Sequence, residues 1–263
     1  MKRVIDAKDL KYRELNSSIR KILGQSYLSD KKVDGRVELT LENILGQRYI
    51  GDGLKEDHLI NIMGIPGNDL AAFMDGPTIE VFENGQDGIG NTMNAGKVII
   101  HGDVGDIPGY SMRGGEIYIE KNAGFRCGIH MKSYQEKIPV IVIGGSAGNF
   151  LGEYMAGGII ILLGLYRQKM THFPYSGTEQ LVGNYIGTGM HGGAIYIRGD
   201  VMDYKLGKEV KKVQIDEKDR EILNKYTGNY CKYFNIDKKE IKSSQFLKLI
   251  PFSHRPYGRL YTY

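Results

Sequence analysis

The sequence has 263 residues, a net charge of +4 and 41% hydrophobic residues, which is enough to bury a sizeable core. Two cysteines are too few for a disulfide framework or for the thiolates that hold an iron–sulfur cluster. The 36 glycines beside only 7 prolines argue against a disordered linker and indicate many tight backbone turns. No apolar run approaches the roughly 20 residues of a membrane span, so we expect a soluble cytoplasmic protein without a membrane partner.

Residues 1–60 predict an N-terminal α/β cap and lead-in. Leu15, Ile19 and Leu23 fall on one face of a helix that Gly24 is placed to end. The alternation of apolar and polar residues in the segment RVELTL then predicts a strand. These elements precede the region in which the sequence becomes periodic.

Residues 61–203 carry an internal repeat, which is the signature of stacked structural units. Methionine recurs at intervals of 19, 19, 19, 24 and 35 residues, at Met74, Met93, Met112, Met131, Met155 and Met190. A glycine stands three residues before most of these methionines, at Gly90, Gly109, Gly128, Gly152 and Gly187. Another glycine stands three residues after most of them, at Gly96, Gly115, Gly158 and Gly193.

Each repeat ends in two apolar residues separated by one position, such as Val98 and Ile100. This spacing and its β-branched bias predict a short strand with one buried face. The flanking glycines predict corners that need positive φ or close backbone approach. A unit this small cannot bury its own apolar face, so units must stack. The repeat therefore predicts an all-β core folded as a parallel β-helix, a single-stranded solenoid of about 19 residues per coil with the methionines inside.

The two longer intervals predict loops inserted into the solenoid. The first adds five residues around the segment SYQEKIP, and the second adds 16 around the segment YRQKMTHFPYSGTEQ. Both segments are polar or contain proline, as is typical of loops. Whether residues 165–183 cover a ligand site is left open by the sequence.

Residues 204–263 leave the repeat and predict a C-terminal helical segment with a basic and aromatic tail. Asp216 is placed as a helix N-cap. From Val201 to the end there are 14 Lys and Arg against 8 Asp and Glu, but the charges are interspersed, which favours a solvated surface over a nucleic-acid partner. The segment FLKLIPFSHRPYGRLYTY is too apolar for solvent, so it either folds back on the solenoid or docks on a partner.

No catalytic, cofactor-binding or metal-ligating residue can be assigned from the motifs. The segment GTGMHGG at 187–193 has the glycine spacing of a dinucleotide fingerprint, but it precedes a predicted strand instead of opening a helix. Cys127 and His130 stand three residues apart, yet a metal site needs further ligands. The residues alone therefore indicate a scaffold or an interaction protein.

The repeat resembles the GXGXG domain, the C-terminal β-helix of the glutamate synthase large subunit. The resemblance covers about residues 38–263 and includes the segments GIPGNDLAAFMDG, MAGGIIILLG, DREILNKYTGNY and FLKLIPFSHRPYGRLY. It implies a right-handed parallel β-helix with a structural role, no cofactor and no catalytic residue of its own.

The resemblance also implies partners. In the full-length enzyme this domain packs against glutaminase and FMN-binding synthase domains, so we expect separate glutaminase-type and FMN-binding synthase subunits that hold the FMN and iron–sulfur groups. The 16-residue insertion and the basic tail depart from the family pattern and would suit a different partner. Two alternatives stay open: a scaffold subunit of a formylmethanofuran dehydrogenase-type oxidoreductase, whose C subunit shares the repeat, and an independent ligand-binding β-helix protein, alone or as a homo-oligomer.

Overall fold

The computed structural model of the protein describes residues 1–25, 35–166, 181–242 and 246–253. The described strands are β1 Lys2–Asp6, β2 Glu38–Leu45, β3 Leu59–Ile65, β4 Asp75–Val81, β5 Ala95–Ile100, β6 Glu116–Ile119, β7 Val140–Ile143, β8 Ala156–Leu162, β9 Gly192–Arg198, β10 Val210–Val213 and β11 Phe246–Pro251. The described α-helices are α1 Tyr12–Ile22, α2 Glu217–Phe234 and α3 Lys239–Lys242, and Asp203–Lys205 form a short 3₁₀ helix. None of the described helices is long and apolar enough to cross a membrane.

Strands β1 to β9 pair in chain order, each parallel to the strand before it. Ile79 pairs with Val98, and Val98 pairs with Ile117, so each of these steps across the sheet takes 19 residues of chain. Parallel pairing of consecutive strands requires the chain to return to the same end of the sheet between them. The predicted parallel β-helix is confirmed, with about six turns.

The two insertions leave the strand register unchanged. Ile117 pairs with Ile141 across the first insertion, and Ile160 pairs with Ile195 across the second, at the same repeat positions as in the uninterrupted coils. The first insertion leaves the coil and is closed by an antiparallel bridge between Tyr134 and Lys137. Most of the second insertion, residues 167–180, lies outside the described residues.

The interior of the solenoid is apolar. All six methionines of the repeat are fully buried, and the strands contribute columns of isoleucine, valine and leucine to the same core. At roughly 25 cal/mol per Å² of apolar surface removed from water, this continuous core supplies the main favourable term in folding. The core joins the coils into one unit, because each coil buries its apolar face only against its neighbours.

The outer face of the sheet is covered along part of its length, which the sequence pattern did not predict. Helix α2 lays Leu223, Tyr226 and Tyr230 on the outward-facing residues of β5 to β9, and these form a second apolar cluster. Strand β7 is consequently buried on both faces, although the alternation in the repeat predicts one buried face. The added burial comes from a segment far away in sequence, so no local period could indicate it.

The N-terminal region continues the solenoid as well as closing it. Leu15 and Ile19 of α1 join the interior core, and Gly24 follows the helix with a φ of +67°. Strands β1 and β2 lie within the range predicted as a cap but belong to the same parallel sheet. The boundary between residues 60 and 61 stays a prediction, as do the boundaries of the other two predicted regions, 61–203 and 204–263.

The C-terminal region folds back on the solenoid. Strand β11 pairs antiparallel with β9, and β10 pairs antiparallel with β11. At the start of α2, Asp216 caps the helix by accepting a hydrogen bond of 2.9 Å from the amide nitrogen of Asp219. The carboxylate of Asp219 in turn accepts hydrogen bonds from Tyr196 Oη at 2.6 Å and Lys248 Nζ at 2.6 Å, which fastens α2 to β9 and β11. Residues 254–263 of the predicted tail lie outside the described residues.

Candidate interaction surface

The turn before each methionine has an alternating backbone. Residues five, three and one positions before Met93 have φ of +72°, +68° and +54°, and the same three positions are left-handed in the other methionine coils. Their amides point alternately to the two neighbouring coils: Gly90 donates back to the Leu70 carbonyl at 2.8 Å, whereas Thr92 donates forward to the Tyr110 carbonyl at 2.7 Å. The turns before Met74, Met93, Met112, Met131 and Met155 are therefore hydrogen-bonded to the coils on both sides, whereas in the turn before Met190 the Gly189 amide donates to Glu209 Oε2 at 3.0 Å.

The position three residues before each methionine forms a column on the inner side of these turns, and it accepts only glycine or alanine. A Cβ added to Gly109 would lie 2.4 Å from Ile141 Cδ1, and a Cβ added to Gly152 would lie 2.6 Å from Ile195 Cδ1, each on the strand one coil further on. Gly90, Gly128 and Gly187 have the same positive φ, and Ala71 takes the position in the first methionine coil.

The glycines after the methionines explain why the two residue types recur together. A Cβ on Gly115 would lie 2.4 Å from Met93 Cε, and a Cβ on Gly193 would lie 2.4 Å from Met155 Cε. A Cβ on Gly158 would likewise lie 2.8 Å from Met131 Cε, so these three methionine side chains end against the glycine of the following coil. Gly96 and Gly158 have the same left-handed φ of +97°.

The two outer columns, five and one positions before each methionine, carry side chains on the outside of the solenoid. Several are bulky and nevertheless left-handed, which costs about 1–2 kcal/mol per residue because Cβ approaches the following carbonyl. Phe150, Tyr154 and Tyr185 have φ of +64°, +52° and +64°. In the same columns Gly88 and Gly189 show that the fold also accepts glycine.

The bulky side chains of the later coils form two ring stacks along the solenoid. His130 and Tyr154 stack with ring centroids 5.2 Å apart and planes 10° apart, and Phe150 and Tyr185 stack at 4.9 Å and 16°. Tyr110 meets His130 edge to face at 6.1 Å. We call these residues the aromatic surface, which consists of Tyr110, Arg126, His130, Phe150, Tyr154 and Tyr185.

One arginine orients the second stack. The Arg126 guanidinium lies 4.7 Å from the ring centroid of Phe150 and also pairs with the buried carboxylate of Glu153. A cation over a ring face is attracted by its quadrupole. The charge of Glu153 is therefore compensated within the protein, and Arg126 is held over the ring of Phe150.

Exposed cations and a loop follow two residues of the aromatic surface, Tyr110 and His130, in the chain. Arg113 and Lys132 directly follow two of the methionines and are exposed, and neither has an ion-pair partner in the part of the chain that the structure describes. The five-residue insertion adds Tyr134 and Ile138, with 54% and 52% of their surface exposed.

The residues singled out for cofactor or metal chemistry do not come together. Cys127 is buried in the core, where burial raises its pKa, whereas His130 is on the aromatic surface. Among the described residues no cluster of His, Cys, Asp and Glu could hold a metal ion. Gly187 and Gly189 belong to the left-handed turn that leads into β9, and no helix follows them.

Two features escaped the sequence reasoning. A further coil precedes Met74, in which Leu54 takes the place of methionine and Gly51, with a φ of +81°, packs against Ile79. Its signal was the G-x-G at 51–53, but it lies 20 residues before the next turn instead of 19. The ring stacks also had a signal, because His130 precedes Tyr154 by the same interval that separates Met131 from Met155.

The fold and these turns define a class: a parallel β-helix with left-handed turns that carry a glycine, or Ala71 in the first of them, three positions before a core methionine. A family model described as the GXGXG motif matches residues 26–251, and the chain belongs to this family. An uncharacterized protein of Methanocaldococcus jannaschii is 46% identical over 98% of this chain and 96% of its own length.

Glutamate synthases are also similar to this chain. The ferredoxin-dependent glutamate synthase 2 of Synechocystis is 28% identical over 69% of this chain, and the large chain of the NADPH glutamate synthase of Bacillus subtilis is 24% identical over 80%. The match takes up only 11% and 14% of the length of these two proteins. The chain therefore corresponds to a small part of a glutamate synthase.

Proposed function

We propose that this protein is a non-catalytic scaffold subunit of a glutamate synthase-like oxidoreductase complex. Its β-helix would pack with separate glutaminase-type and FMN-dependent synthase polypeptides, and the FMN and iron–sulfur groups would belong to those partners. The observation that carries the proposal is the family membership combined with the extents of the matches. The segment that matches this chain is a small part of the glutamate synthases and nearly the full length of the Methanocaldococcus jannaschii relative.

The side-chain chemistry of the described residues supports a scaffold. The buried carboxylates are used structurally: Asp219 binds Lys248 and Tyr196, and Glu153 binds Arg126. Both cysteines are buried, and burial raises the pKa of each thiol, which disfavours the thiolate that nucleophilic or cluster chemistry requires. The polar groups thus hold the fold together.

The test is reconstitution with defined partners. The glutaminase-type and FMN-binding synthase polypeptides encoded in the same genome are purified and mixed with this protein, and the mass of the mixture is measured by light scattering. We expect a stoichiometric complex whose glutamate formation, with NADPH or reduced ferredoxin as donor, depends on this protein. Glutamate formation at the same rate without it, together with separate elution, would contradict the proposal.

A further inference from the structure

Strand β1 leaves one edge of the parallel sheet open. It is the first strand of the sheet, and β2 is its only neighbour among the described strands. The Ala7 amide donates to the Glu42 carbonyl of β2, and in a parallel ladder the residues at every second position bond to the same neighbour. The amides and carbonyls of Lys2, Val4 and Asp6 therefore point to the open edge, and no described residue bonds to them.

Helix α1 follows β1 closely and nevertheless leaves it exposed. The Leu15 and Ile19 side chains of the helix join the interior core, and the Asn16 side chain donates to the Arg48 carbonyl at 2.9 Å. The helix thus closes the interior of the solenoid beside the turn that begins at residue 48. Four of the five residues of β1 are exposed, and Val4 at its centre has 61% of its surface exposed. An exposed edge of this kind offers the hydrogen bonds that a further strand would take up.

The charges along this edge are symmetric about Val4. Lys2 stands two residues before Val4, and Asp6 stands two residues after it. Lys2 pairs with Glu38 of β2 at 3.2 Å, whereas Asp6 lies opposite Glu42, and no described Lys or Arg forms an ion pair with its carboxylate. Charges of one sign would keep a second copy of the strand away. Opposite charges at equal distances from the centre instead attract the same strand in the reverse direction.

The exposed charges around this edge are of both signs. They are Arg3, Lys8, Asp9, Lys11, Arg13 and Glu14. Their excess of cations opposes the approach of two copies only weakly, because salt at physiological concentration screens exposed charges beyond about 8 Å. Attraction at this end of the solenoid is therefore specific to Lys2 and Asp6.

We propose that two copies of this protein pair edge to edge, with β1 antiparallel to β1 of the second copy about a two-fold axis at Val4. In this register the two Val4 residues exchange backbone hydrogen bonds, and Lys2 of each copy lies opposite Asp6 of the other. These are the positions whose amides point outward, so the hydrogen-bonded pairs of the antiparallel ladder fall on them. The pairing needs no other polypeptide, so its failure would leave the proposed function standing.

The first test is the mass of the protein in solution. Light scattering is measured up to about 100 μM, because an interface of this small size binds weakly. We expect twice the chain mass of 29.5 kDa. Val4→Pro removes only an amide that faces the edge, a position where strands accept proline, so we expect the mass of a single chain with an unchanged circular dichroism spectrum. Val4→Thr is the matched control, because it keeps the amide and the β-branched shape and should stay dimeric.

A charge exchange tests the register. Lys2→Glu and Asp6→Lys each replace the two pairs of opposite charge by two pairs of like charge, so we expect the dissociation constant of either dimer to rise about tenfold or more. In an equal mixture of the two variants both pairs are of opposite charge again, and we expect a dimer with one copy of each. Recovery in the mixture cannot come from a change in folding, because the same two chains are present.

Three results would overturn the pairing. The first is the mass of a single chain for the unchanged protein at every concentration. The second is a dimer that Val4→Pro and both charge variants retain, which would place the contact elsewhere. The third is an equal mixture of the charge variants that stays monomeric while the unchanged protein is a dimer. If Val4→Pro lowers Tm, this mixture decides the outcome.

Discussion

Two residue types, glycine and methionine, fix the cross-section of this solenoid together. Met93, Met131 and Met155 each reach a glycine of the following coil, and the glycines before the methionines face a β-branched residue of a later strand, an isoleucine at Gly90, Gly109, Gly128 and Gly152 and Val210 at Gly187. In the sequence this pairing is visible as the shared interval of the two residue types. The structure explains it, because the methyl group of the methionine occupies the space that a Cβ on the glycine would need. The ring stacks were harder to predict, since exposed positions vary between coils and only neighbouring coils place rings together.

A substitution at Gly96 tests the close approach. A Cβ at Gly96 would lie 2.3 Å from the Pro77 carbonyl oxygen, which is backbone and cannot move aside. We expect Gly96→Ala to lower the free energy of unfolding by about 3 kcal/mol, from left-handed strain and overpacking together. Gly199→Ala is the control, because Gly199 has a φ of +114° and open space around it, so only strain of about 1 kcal/mol applies. Equal losses in urea titrations of both variants would contradict the close-approach argument.

The buried His58 leads to a prediction for how the free energy of unfolding depends on pH. The residue is buried, its Nδ1 accepts a hydrogen bond from the Val37 amide at 3.3 Å, and burial lowers its pKa although Glu56 and Asp57 oppose the shift. The unfolded chain takes up the proton first, so stability is complete above the ordinary pKa of about 6.5 and falls as the pH drops below it.

The substitution His58→Gln keeps an acceptor for the Val37 amide and removes the titration. We expect the free energy of unfolding to fall less between about pH 7.5 and about pH 5.5 for the variant than for the unchanged protein. The measurement is urea unfolding followed by circular dichroism at both pH values. Parallel pH profiles for the two proteins would show that His58 does not contribute.

At the scale of elements, the buried carboxylate of Asp219 adds a polar attachment of α2 to β9 and β11 beside the apolar contacts of the helix. The repeat predicted the strands, and Asp216 predicted the cap of α2, because both signals lie within a few neighbouring residues. Neither signal predicted that α2 covers β5 to β9, because that contact joins segments separated by roughly a hundred residues, such as Asn229 and Tyr118. The residues responsible, Tyr196, Asp219 and Lys248, meet only after the chain has folded.

The substitution Asp219→Asn tests this attachment. It leaves Lys248 without its buried partner, so we expect a loss of about 3 kcal/mol or more at neutral pH. Burial raises the pKa of Asp219, but the hydrogen bonds from Lys248 and Tyr196 outweigh it and hold the pKa below its ordinary value. The stabilisation is therefore present above about pH 4 and is lost as the pH falls below it.

Glu221→Gln is the control for this variant, because Glu221 is exposed on the same helix. We expect the control to change the free energy of unfolding by less than about 0.5 kcal/mol. Denaturation is followed by circular dichroism at neutral and acidic pH. Matching stabilities of the two variants would show that the carboxylate is not what holds α2 in place.

For the whole molecule, the fold class was predictable because a solenoid repeats one local rule. About 19 residues lead from one strand to the next parallel strand. The same spacing of glycine, methionine and strand residues recurs in every regular coil. The ends were less predictable. Residues 49–54 form a left-handed turn with Leu54 in place of methionine, and β11 pairs antiparallel with β9, so neither repeats the rule. The function is the least predictable from the sequence, since the proposed scaffold role depends on partners outside the chain.

The register across the insertions has a consequence for how such a protein can change. A strand that follows an insertion keeps the pairing register of the uninterrupted coils. The loop at the insertion point can therefore lengthen while the interior packing is preserved. Each coil can therefore accept an inserted loop independently of the others, and new recognition elements can be acquired one loop at a time. A lineage could exchange partners in this way while keeping the same framework.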